Sequence, residues 1–136
     1  MNTSTKLNQI FLIDDDEAVN FINKIILTKS ECANEIIAIE SASKALDILS
    51  QNVHVDPERP ELIFLDINMP GMDGWEFLEK YAELPQDYIT NIKVIMLTTS
   101  VNPEHKKRAE QYKEVAGFRV KPLSMKMATE IMESYF

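Results

Sequence analysis

Three short runs along the chain carry no charge: Ile10-Phe11-Leu12-Ile13, Leu62-Ile63-Phe64-Leu65 and Val94-Ile95-Met96-Leu97. Four apolar residues in a row, without polar alternation, are the pattern of a strand covered on both faces. Two weaker candidates are Ile36-Ile37-Ala38-Ile39, flanked by Glu35 and Glu40, and Phe118-Arg119-Val120. Charges in or beside a strand are most easily placed at a sheet edge, so the three clean runs are expected in the middle. Between the runs, apolar residues recur at helical spacing. Ala18, Phe21, Ile22, Ile25 and Ile26 form one stripe; Ala42, Ala45, Leu46 and Leu49, near the caps Ser41 and Ser43, form a second. Trp75, Leu78, Tyr81 and Ala82 form a third; Met127, Ala128, Ile131, Met132 and Tyr135, behind Ser124, form the last. The fourth helix, Pro103 to Val115, has Asn102 as cap and Pro103 at its first position, with a thin stripe of Ala109, Tyr112 and Val115. Gln51 to Pro60, marked by Pro57 and Pro60, and Leu84 to Asn91 read as loops. The order βαβαβαβαβα predicts an α/β fold with a parallel sheet, helices on both faces and right-handed crossovers.

Composition narrows the class. The 136 residues suit one domain, taken as 1–136 with a core from about 9 to 135. Fourteen Lys and Arg against 22 Asp and Glu leave a net charge of −8, without the basic footprint of a nucleic-acid binder. One cysteine, Cys32, allows no internal disulfide, and two histidines, His54 and His105, argue against a His-based metal site. No run approaches a membrane span, and the polar N-terminus lacks the apolar core of a signal peptide. A soluble, cytoplasmic protein is the expectation.

The chemistry collects at the strand ends, where open α/β sheets bind ligands. The first strand ends in Asp14-Asp15-Asp16, the third in Asp66, the fourth in Thr98-Thr99-Ser100 and the fifth in Lys121-Pro122. Two carboxylates about 4 Å apart repel by roughly 4 kcal/mol at an effective dielectric near 20. A divalent cation such as Mg²⁺ relieves that repulsion and leaves coordination sites for phosphate oxygens. A carboxylate held in this way can attack phosphorus. Other readings fail on single residues. An EF-hand starting at Asp66 would need Glu where Phe77 stands, and Pro70 occupies a ligand position. The glycines Gly71, Gly74 and Gly117 cannot build a dinucleotide fingerprint, and no Walker motif is present.

The segments FLIDDD, LIFLDINMPGMDG, VIMLTTS and GFRVKP, in this order at these strand ends, resemble the CheY-like receiver domains of two-component response regulators. The resemblance runs from about Gln9 to Tyr135 and implies a flavodoxin-like sheet of order 2-1-3-4-5. It implies that Asp66 is the phosphoacceptor and that Asp14, Asp15, Asp66 and the backbone carbonyl of Asn68 hold Mg²⁺. Thr98 matches the switch hydroxyl, Lys121 the phosphate-binding lysine, with a cis peptide to Pro122, and Phe118 the switch aromatic, here without the tyrosine hydroxyl. Asp16 is left free to cap the first helix. The donor would be a sensor histidine kinase or a histidine phosphotransfer protein. The output face would be the fourth helix, fifth strand and fifth helix. The chain closes just after that helix, so a stand-alone receiver acting on another protein is expected. Its alternative is an interaction module of the same fold not switched by phosphate. A phosphohydrolase acting on external substrates is not expected.

Overall fold

The computed structural model describes residues 6–55 and 59–136; Pro57 and the side chain of His54 lie outside the described residues. Five parallel strands, β1 (Leu7–Ile13), β2 (Ala33–Ile39), β3 (Leu62–Leu65), β4 (Lys93–Thr98) and β5 (Val115–Val120), form one sheet in the order β2-β1-β3-β4-β5. Alternate residues of the charge-free runs enter two separate cores, which is why neither parity can be polar. Phe11, Ile13, Ile63, Leu65, Val94 and Met96 face one side. That side is covered by α2 (Ala42–Val55), α3 (Gly74–Tyr81), α4 (Gln86–Ile89) and α5 (Pro103–Glu110). Ile10, Leu12, Leu62, Phe64, Ile95 and Leu97 face the other, under α1 (Glu17–Lys29) and α6 (Met125–Tyr135). The edge strands, β2 and β5, are the two whose apolar runs hold or adjoin charges, as expected; the one charge of β4, Lys93, stands at its start, outside the apolar run.

Local signals hold at most helix ends. Asp16 caps α1 by accepting from the N–H groups of Ala18 and Val19, Ser41 accepts from Lys44, and Ser124 accepts from Met127. Asn102 caps α5 with Pro103 in its first turn. Asp73 and Glu76 form a reciprocal capping box on α3.

Four expectations are corrected. The fourth sequence helix stops at Glu110 and not at Val115, which already belongs to β5; Tyr112 lies in the intervening turn. Residues 51–55, read as loop, extend α2. The loop from Leu84 to Asn91 contains the one-turn α4, which seats Tyr88 and Ile89 in the core. The largest correction is the roll of α1. Phe21, Ile22 and Ile25, taken as its inner stripe, are exposed at 67%, 54% and 40%, while Asn20, Asn23 and Leu27 are buried. Apolar residues lie around much of this helix, so periodicity alone could not choose the inward sector. Docking against β1, β2 and α6 did.

Candidate functional site

The strand ladder itself carries the site residues to their places. Asp14 N–H donates to the Ile39 carbonyl at 3.1 Å, Asp66 N–H to the Ile13 carbonyl at 3.0 Å, and Lys121 N–H to the Thr98 carbonyl at 2.7 Å. Each residue is thus the next rung after its strand ends. The sheet reverses its order between β1 and β3, and both acidic ends meet at that crevice. Behind Asp66, the chain turns through Gly71 at φ +77° and enters α3 at Gly74, where a Cβ would stand 2.5 Å from the Asp66 carbonyl oxygen. Glycine at position 74 lets α3 start against the backbone of the acidic strand end.

Carboxylate oxygens of Asp14, Asp15 and Asp66 lie within 4.8 Å of one another. Asp14 and Asp66 are buried, and Asp15 is exposed at the mouth. Lys121 Nζ lies 2.6 Å from Asp14 Oδ2 and 3.4 Å from Asp66 Oδ1. Burial, and then the charge of Asp14, push the Asp66 carboxyl up from 3.8 to about 6, against the pull of Lys121. Burial works to lower the Lys121 ammonium, but its hydrogen bond to Asp14 and the charges of Asp66 and Asp14 outweigh that and leave it above 10.5. One lysine cannot balance three acids. The donors are all hard oxygens, with no His or Cys in the group, and this set fits a small hard cation such as Mg²⁺. Asn68 is exposed in the loop after β3, on the same side of the sheet edge.

Thr98 is fully buried at the end of β4, and its hydroxyl accepts from the Ser100 N–H at 3.1 Å. From there a chain of contacts runs to α5. Ser100 Oγ lies 2.6 Å from His105 Nδ1, and the His105 ring meets Trp75 edge-on at 6.1 Å. Trp75, on α3, also stacks on Tyr112 at 6.0 Å and lies 4.4 Å beneath the Arg108 guanidinium. The basic run from His105 to Arg108, read as a solvated face, therefore has two of its members engaged. Phe118 is partly buried and packs against the core on the α5 side. It borders a cavity of about 590 Å³ between α5, β5 and α6. Lys121-Pro122 is cis.

Sequence reasoning missed Asn20. Its side-chain amide donates to the Asp14 carbonyl at 2.8 Å. An asparagine one turn inside a helix that follows an acidic cap was the available signal, and the apolar residues beside it masked it.

Comparison with known proteins agrees with this geometry. Residues 10–133 match the family model described as the response regulator receiver domain. The chain belongs to that family. It is 32% identical over 96 residues to the response regulator Rcp1 of Synechocystis, covering 70% of this chain and 64% of that protein. It is 29% identical over 90 residues to the sporulation initiation phosphotransferase F of Bacillus subtilis, covering 66% and 63%. The matched part is thus under two-thirds of the length of these curated relatives. The solved structure of a two component response regulator from Cytophaga hutchinsonii superimposes with a TM-score of 0.88 at 29% identity, over 96% of this chain and 97% of that one. The family is one of signalling receivers, and its members in two-component systems work with histidine kinases.

Proposed function

We propose that this chain, as a single receiver unit spanning 1–136, accepts a phosphoryl group on Asp66 in a Mg²⁺-dependent reaction in the cytoplasm. The observation that carries this reading is the convergence of Asp14, Asp15 and Asp66 within 4.8 Å beside Lys121. In the reaction, an Asp66 carboxylate oxygen forms the new P–O bond. The P–N bond of a phosphohistidine breaks, and the imidazole leaves with the electron pair. Bound by Asp14, Asp15, Asp66 and the Asn68 carbonyl, Mg²⁺ would offset the negative charge of acids and phosphoryl oxygens. Lys121 would pair with a phosphoryl oxygen, exchanging part of its present contact with Asp14. Thr98 would turn its hydroxyl to the same group.

The donor is a histidine kinase or histidine phosphotransfer protein. Its histidine must reach a carboxylate at the bottom of the crevice whose rim is the start of α1. The exposed Phe21, Ile22 and Ile25 of that helix give such a donor an apolar surface beside the rim. Output runs through α5, β5 and α6 to a second protein.

Acetyl phosphate with Mg²⁺ is expected to add one phosphoryl mass to the parent and none to Asp66→Asn. Full labelling of the Asn variant would remove the assignment, and an unlabelled parent would favour the phosphate-independent interaction module. Phe21→Asp is expected to slow transfer from a phosphorylated histidine protein at least tenfold while leaving labelling by acetyl phosphate unchanged.

A further inference from the structure

Helix α1 turns asparagines into the molecule and large apolar side chains out of it. Asn20 is 4% exposed. Its Nδ2 donates to the carbonyl of Asp14, but its Oδ1 is buried with no partner among the described residues. Asn20 and Asn23 border a cavity of about 10 Å³ that also touches Asp14 and Asp66, room for no more than one water. A buried amide left half-paired is destabilising, and an apolar residue at this place would bury without that penalty.

The bond that Asn20 does make is specific. Asp14 is held by its N–H to β2, by Oδ1 to the Asp16 N–H at 2.9 Å and by Oδ2 to Lys121. Its carbonyl, where the chain leaves β1 for the acidic turn, is held by Asn20. We propose that Asn20 is a positioning residue for the acid cluster, its amide fixing the Asp14 carbonyl and with it the turn that aims the Asp14 and Asp15 carboxylates at Asp66. The inference rests on the reading of this cluster as a Mg²⁺ site.

The test uses the full chain with Asn20→Leu and Asn20→Ala. Three quantities are measured: Mg²⁺ affinity by calorimetry, Tm without metal, and amide exchange at Asp15 and Asp16 without metal. Both variants are expected to bind Mg²⁺ roughly tenfold more weakly, as when a group orienting a metal ligand is lost. Exchange at Asp15 and Asp16 is expected to rise. Tm of the Leu variant should stay within about 2 °C, because losing the unpaired Oδ1 offsets leaving the Asp14 carbonyl unpaired. A role confined to helix packing predicts the reverse, a lower Tm with parental Mg²⁺ affinity and parental exchange, and that result overturns the proposal. Should the larger leucine prevent folding, the alanine variant supplies the affinity and exchange readings. A parent that binds no Mg²⁺ refutes the reading of the cluster and leaves the exchange measurement to decide Asn20. Parental affinity in both Asn20 variants, with binding lost in Asp15→Ala, refutes Asn20 alone.

Discussion

Asp66 is a carboxylate held where a carboxylate is costly. Burial and the neighbouring Asp14 raise it to about 6. The folded chain therefore binds this proton more tightly than the unfolded chain, whose value is near 3.8. The resulting stabilisation is complete below about pH 4 and is lost as pH climbs through 6. Asp66→Asn keeps the neutral shape without titrating. In EDTA at pH 7.5 it is expected to be more stable than the parent by roughly 2 kcal/mol, and to lose that advantage near pH 4. Urea melts at the two pH values check this; an Asn variant no more stable at pH 7.5 would mean that Lys121 neutralises Asp66 fully. Thr98 and Lys121 were legible as chemistry because each follows a segment recognisable as a strand. Asn20 was not, since its role depends on a carbonyl six positions back that only the turn at Asp15 brings under it.

Helix α5 is weakly anchored by apolar burial. Only Ala109 of its eight residues is buried. The rest of its hold comes from the side, through Trp75 against Arg108 and His105, and through Tyr112 just beyond its end. An element held by a few ring and cation contacts opens at low cost. Arg108→Ala removes a cation–π contact of about 0.5–1 kcal/mol and is expected to speed amide exchange in α5 about two- to fivefold without phosphate. Unchanged exchange would show that the Trp75 contacts do not hold the helix. The hydroxyl of Thr98 is tied to the same helix through Ser100 and His105. Thr98→Ala is therefore expected to accept the phosphoryl group, while the exchange response of α5 to phosphorylation, present in the parent, becomes flat. A full response in the variant would send the signal by another route. The thin stripe of this helix was visible in the sequence. Its clamp was not, because Trp75 lies on a different helix about thirty positions away and was read simply as core.

At the scale of the molecule, folding and the proposed metal binding would be linked, since the three acids meet only in the folded sheet. Mg²⁺ at ten times its Kd is expected to add about 1.4 kcal/mol, which for a chain of this size raises Tm by about 3–6 °C. Asp15→Ala is expected to abolish that rise, and its metal-free Tm should equal or exceed the parent's because one repulsion is gone. Calorimetric scans with and without Mg²⁺ measure both; a Tm rise retained in the variant would show that Asp15 is not a ligand. The sequence by itself determined the alternation of strands and helices, the central place of the charge-free strands, and the acids, hydroxyl and lysine at the strand ends. Those are local properties: a run with no polar parity must be covered on both faces, and the residue after it must emerge at the carboxyl edge. Tertiary structure decided the roll of α1, the early end of α5, the burial of Asn20 and the path from Thr98 to Trp75. A helix with apolar residues around much of its circumference has no preferred sector until a sheet is laid against it. A hydrogen bond between distant residues likewise exists only once packing has brought its donor and acceptor together.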